Sequence, residues 1–189
     1  MKPLHHLFHY VLAAVLLIGL GSPTASAMEV RAAQALWLDE QELLLRLSVD
    51  LDIPDLLAEA MANGIGVYFR SEIRLFERRP FWGEQVWAQG ERSLRMEYNA
   101  LSRHYRLIDL DTLRVEFAPT LGDALELLAQ RLGRIRLSIE APEPAERRRH
   151  GIAARVRIDQ TALPLPLQWD TRLRALYVAQ LGWSRWPLE

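Results

Sequence analysis

Two stretches of the chain alternate apolar and polar side chains at every second position. Leu43, Leu45, Leu47, Val49, Leu51 and Ile53 alternate with Leu44, Arg46, Ser48, Asp50 and Asp52. Val67, Phe69, Ser71, Ile73 and Leu75 alternate with Tyr68, Arg70, Glu72, Arg74 and Phe76. A period of two is that of a β-strand with one buried face. Val30 to Leu38 predicts a further strand, and Asp39-Glu40-Gln41 a turn. Pro54 opens a predicted helix over 54–63 at its first position, where the missing N–H costs nothing. Leu56, Leu57, Ala60 and Met61 form its apolar face, and Gly64 is its stop.

The loop from Arg78 to Gly83 ends the second alternating strand. Glu84–Ala88 and Ser93–Tyr98 predict a hairpin turning around Gly90, and His104–Leu110 and Leu113–Phe117 continue the meander. The stripe Leu121, Leu125, Leu128 and Leu132 predicts a helix over 121–132. Thr120 with Asp123 forms an imperfect capping box before it, and Gly133 ends it. Ile135 to Ile139 and Ile152 to Ile158 predict strands on either side of a polar loop, 141–151. Leu163-Pro164-Leu165-Pro166-Leu167 reads as an edge strand or extended corner, because each proline removes a ladder donor. Short turns between neighbouring strands predict antiparallel pairing. The expectation is one α+β domain over 28–189. It is predominantly antiparallel β, a curved sheet or sandwich, with two helices.

The first 27 residues have a different pattern. Lys2 precedes the unbroken apolar run Val11 to Leu20, and Ala25-Ser26-Ala27 follows. That order describes a secretory signal peptide cleaved after Ala27, which predicts a periplasmic protein. The alternative is an uncleaved inner-membrane anchor, for which the run is shorter than the ~20 apolar residues of a spanning helix.

Composition narrows the chemistry. The 189 residues include no cysteine, which excludes disulfides, thiolate metal sites and a cysteine nucleophile. The 23 basic and 24 acidic residues leave a net charge of −1, which gives no electrostatic case for nucleic acid. Lys2 is the only lysine, so the predicted mature domain carries its positive charge on arginine alone and has no lysine for a Schiff base or general base. His104 and His150 are the histidines beyond the leader, and their spacing predicts no metal site and no cofactor. There is no G-x-S-x-G elbow. Asp50 with Asp52, and Asp109 with Asp111, could pair as carboxylates but read as solvated strand faces. Arg147-Arg148-Arg149 with His150 reads as a solvated loop rather than an anion site.

Aromatics next to arginines are the stronger signal. Arg78, Arg79, Phe81 and Trp82 share one loop, and Trp183 and Trp186 share the tail; exposed clusters of this kind mark binding surfaces. These six are the candidate binding residues. Catalysis would require two of His104, Asp159 and Ser184 to converge.

The order of short strings along the chain resembles the DUF4390 family of exported bacterial proteins. The strings are Glu59-Ala60-Met61-Ala62-Asn63-Gly64-Ile65, Arg79-Pro80-Phe81-Trp82, Leu94 to Leu101 with Tyr105-Arg106, Thr120 to Leu125, Arg157-Ile158-Asp159 with Leu163 to Leu167, and Gly182 to Leu188. Gly182 departs from the pattern, in which an acid is common. The resemblance brings no catalytic or binding residues with it. Its gene neighbourhoods imply an envelope-signalling link, with an inner-membrane protein such as a sensor kinase as partner. The expected function is therefore a non-enzymatic periplasmic interaction domain. A carrier of a small apolar ligand or lipid, and a hydrolase, are the alternatives.

Overall fold

The computed structural model describes residues 28–143 and 147–188. The leader, its cleavage point at Ala27 and the middle of the 141–151 loop lie outside them. Among the described residues, nine strands form two antiparallel sheets. The three-stranded sheet joins β1 (Met28–Trp37), β2 (Glu42–Leu51) and β7 (Arg134–Ser138) in that order. The six-stranded sheet runs β6 (Val115–Ala118), β5 (His104–Asp109), β4 (Gly83–Asn99), β3 (Val67–Arg79), β8 (His150–Ile158) and β9 (Ser184–Pro187). The expected α+β fold of mostly antiparallel sheet is what the chain adopts, without barrel closure.

The alternating positions do what their period requires. Leu43, Leu45 and Leu47 from β2 are buried, as are Val67, Phe69, Ile73 and Leu75 from β3 and Ile152, Ala154, Val156 and Ile158 from β8. They join one apolar cluster that spans both sheets and includes Ala124, Leu128 and Leu132 of helix α2 (Leu121–Leu132). Consecutive Leu75 and Phe76 are both buried, on opposite faces of β3: Leu75 joins the apolar cluster, and the Phe76 ring covers Gly151. The partner strand β4 bulges at this point: Leu75 faces Ala88 and Phe76 faces Val86, leaving Trp87 as its extra residue.

Helix α1 (Asp55–Ala62) begins one residue after Pro54, which sits at the cap in an extended conformation rather than inside the helix. Its end is a Schellman motif: Ile65 N–H donates to the Ala60 carbonyl at 3.0 Å and Gly64 N–H to that of Met61 at 2.9 Å. Gly64 takes φ 81°, the left-handed conformation that glycine adopts without steric cost. The Thr120 hydroxyl caps α2, accepting from the Asp123 N–H at 3.2 Å. Asp123 completes only half a capping box. Its carboxylate accepts from the Thr120 hydroxyl at 2.6 Å, whereas a full box reaches the backbone N–H of the cap.

Three expectations are corrected. Gly90 does not turn a hairpin: β4 runs straight through it, and β3 and β4 are joined instead at Pro80–Trp82. Leu163–Leu167 is not an edge strand. Pro164 caps a single helical turn, α3 (Leu165–Gln168), whose first orphan positions tolerate the missing proline donors. The tail adds helix α4 (Thr171–Ala179), which buries Leu173, Leu176 and Tyr177, so the described helices number four rather than two.

Candidate functional site

The long β3–β4 ribbon ends in Arg79-Pro80-Phe81-Trp82-Gly83. Arg79 pairs with Gly83 at its tip. Phe81 is fully exposed and Trp82 is 87% exposed. Phe81 holds φ 69° and Gly83 φ 75°. A bulky residue in the left-handed region is strained by about 1–2 kcal/mol, and strain of this kind collects at functional positions. Arg79 is held by Glu77 at 2.8 Å, and the Arg78 guanidinium lies 5.7 Å from the Phe76 ring. The tip therefore presents two apolar rings above a basic collar.

The tail tryptophans do not join this tip. Trp186 lies in β9, whereas Trp183 immediately precedes that strand. Trp186 lies opposite Ile152 on the core side and packs against the apolar cluster. Trp183 lies on the outer side, between the Arg74 guanidinium at 4.3 Å and that of Arg155 at 4.5 Å. The six candidates thus divide into an exposed tip, a core plug and an arginine-sandwiched ring.

The other sequence candidates separate as well. His104 is on β5, Asp159 follows β8, and Ser184 is on β9. His104 and Asp159 lie three strands apart, which alone puts at least about 14 Å between them at the spacing of a sheet. Ser184 pairs with Ala154, five residues along the ladder from Asp159. His150 stacks edge-on against Trp87 at 5.4 Å. Asp109 departs from its expected solvated role. It is buried, accepts backbone N–H donors from Asp111 and Thr112 at 3.0 Å each, and pairs with Arg92. Burial alone would raise its pKa; the Thr112 N–H, the Arg92 charge and the Asp111 N–H together hold it below the usual range.

A second feature was hidden in the sequence. Where the free edge of β7 meets β4, the β5–β6 turn and the end of α2, a cleft of about 600 Å³ opens, and six arginines line it: Arg46, Arg92, Arg114, Arg131, Arg134 and Arg136. Arg92 spans the junction by donating to the Arg134 carbonyl at 3.2 Å. Arg131 grips Glu116 with two bonds of 2.6 Å, which raises the arginine's pKa and lowers the glutamate's. The six come from five separate segments, so no local string announces them. The closest signal was the alternation Arg134-Ile135-Arg136-Leu137, whose charged half must face outward.

A family model for a domain of unknown function, DUF4390, matches residues 25–187. The chain belongs to that family. No curated protein and no solved structure matches it. Among the described residues no helix of this DUF4390 chain is long and apolar enough to cross a membrane.

Ion pairs line the outer face of the six-stranded sheet in this DUF4390 domain. Glu72 accepts from Arg155 Nε at 2.7 Å and from Arg157 Nε at 2.6 Å. Burial acts to raise its pKa, but the two arginines outweigh it and the pKa is lowered from 4.5. A carboxylate with a depressed folded pKa contributes stability that is present above the unfolded value and lost as pH falls through the folded one. Urea midpoints measured against pH should therefore hold steady above about pH 5 and fall below it. Glu72→Gln should flatten part of that fall; an unchanged acid limb would remove Glu72 as a cause.

Proposed function

We propose that this DUF4390 chain is an exported, non-enzymatic interaction domain that docks on a protein partner through the β3–β4 tip. One observation carries the reading: Phe81 and Trp82 stand exposed on a backbone that holds Phe81 in a strained conformation. Large rings flanked by arginine are the residue types that dominate protein interfaces. The leader pattern supports a periplasmic location, and the family resemblance supports an inner-membrane signalling protein as the partner. The carrier reading has less support, because the space between the sheets is filled by the apolar cluster and the cleft of about 600 Å³ is lined by charge. The hydrolase reading has less still, given the separation of His104, Asp159 and Ser184.

The test is in-cell crosslinking from the full-length gene, followed by mass spectrometry of the captured proteins. Phe81→Ala with Trp82→Ala should reduce capture of the inner-membrane partner about tenfold or more, as loss of interface hot spots does. Folding stability should move by less than about 0.5 kcal/mol, since neither ring is packed. Phe81→Gly is the sharper control: it relieves the left-handed strain, so stability should hold or rise while capture still falls. Equal capture by all variants would end this assignment.

A further inference from the structure

The arginine cleft is independent of the tip, and its charge is unbalanced. Three of its six arginines have internal partners: Arg92 with Asp109, Arg131 with Glu116 and Arg136 with Glu42. Arg46, Arg114 and Arg134 make no ion pair among the described residues. Of the two lining acids, Glu91 is paired to Arg70 at 3.5 Å, which leaves Asp111 as the one unpaired carboxylate. The surplus is two positive charges.

The register sharpens the point. Arg46 and Arg134 stand directly opposite one another across β2 and β7. Like charges at directly opposed positions destabilise a sheet. The other neighbour of Arg46 is Gln34, which supplies no charge. An anion seated between the two guanidiniums would turn this repulsion into a pair of charge-assisted bonds.

We infer that the cleft binds a phosphomonoester, held between Arg46 and Arg134 with Arg114 at its rim. The dianion carries about −1.5 to −2 charges at neutral pH, which matches the surplus, and its oxygens suit the planar guanidinium fork. A monocarboxylate supplies half the charge and would be held less well. The phosphomonoester could be a soluble metabolite or the headgroup of a lipid, and the recognition chemistry is the same.

The experiment is a thermal unfolding series on the purified protein at low ionic strength, with phenyl phosphate as the probe and benzoate as the single-charge control. Phenyl phosphate should raise the midpoint of the wild type, and benzoate should raise it less. The phosphate effect should grow as pH rises through about 6, where the ester gains its second charge and arginine does not titrate. Arg46→Ala with Arg134→Ala should bind phenyl phosphate about tenfold or more weakly by calorimetry. Both side chains are exposed, and losing them removes a repulsion. The unliganded double variant should therefore melt no lower than wild type, which separates lost binding from lost folding. Co-sedimentation with phosphatidic acid vesicles that depends on both arginines would identify a lipid headgroup as the source. A phosphate-induced shift without co-sedimentation would identify a soluble ester. No shift in the wild type, or the same shift in the double variant, would overturn the inference.

Discussion

Gly133→Ala is expected to lower stability by about 3 kcal/mol, the upper end for a residue forced into filled space. The residue ends α2, and its φ of −75° is open to any amino acid, so backbone freedom is not the issue. Space is. A Cβ on Gly133 would lie 2.4 Å from the Leu47 carbonyl oxygen and 3.0 Å from that of Ala129. Both are backbone atoms of regular elements, which do not swing aside as a side chain would. The contact is close because Leu47 N–H donates to the Gly133 carbonyl at 2.7 Å, joining the helix end to β2. Relief would require α2 to move off β2, and Leu128 and Leu132 would leave the core with it. Gly122→Ala is the paired control: the nearest atom to its Cβ is the Thr120 hydroxyl oxygen at 3.8 Å. There alanine should stabilise by about 0.5–1 kcal/mol through helix propensity. Urea unfolding of the two variants tests the account. Equal midpoints would mean that the helix end has room the structure does not show.

Asp109→Ala should cost about 2–3 kcal/mol, because it strands both a half-buried guanidinium and two backbone donors. The carboxylate closes the β5–β6 turn from inside, accepting from Asp111 and Thr112, while its other oxygen meets Arg92. Asp109→Asn keeps the acceptor for the two N–H groups and loses the charge, so it should cost less than alanine does. With the carboxylate's pKa lowered from 3.8, its contribution is present above that value and fades as pH falls below it. The asparagine variant should therefore lose less stability on acidification than wild type. Matching costs for the two variants would show that the ion pair alone matters and the turn does not.

Much of the fold was legible where one strand face is dry and the other wet. Residues 43–51 and 67–75 satisfied that condition and declared their period. Gly90 misled for a physical reason: glycine marks a turn or a close approach, and here it is the latter. A Cβ on Gly90 would lie 2.5 Å from the Leu137 side chain, so the residue lets β7 pack on β4. The true turn lies inside the loop read at Arg78 to Gly83, although Phe81, a ring that disfavours positive φ, occupies a position where glycine is expected. The proline-rich stretch failed similarly. Missing donors exclude a central strand, yet a helix start tolerates them equally well. The exposed tip was legible because its rings and arginines are adjacent in the chain. Trp183 and Trp186 were legible as a pair, but β9 begins only at Ser184, and its start leaves Trp183 between arginines while Trp186 packs on the core. The arginine cleft was not legible, because register and the docking of α2 assemble it from distant segments.

The pairing order of the strands governs how this chain can fold. β2 waits for β7, with Leu43 opposite Leu137, and β3 waits for β8, with Phe69 opposite Ile158. Partners so far apart make the closure entropy large and the search slow. As the chain emerges from its N-terminal end, β1–β2 and β3–β4 can zip early as local hairpins. Each then presents a bare hydrogen-bonding edge until nearly the whole sequence is available. Such edges are templates for neighbouring chains. A chain interrupted before β8 would keep its longest ribbon open on one side, in a form better suited to aggregation than to partial function.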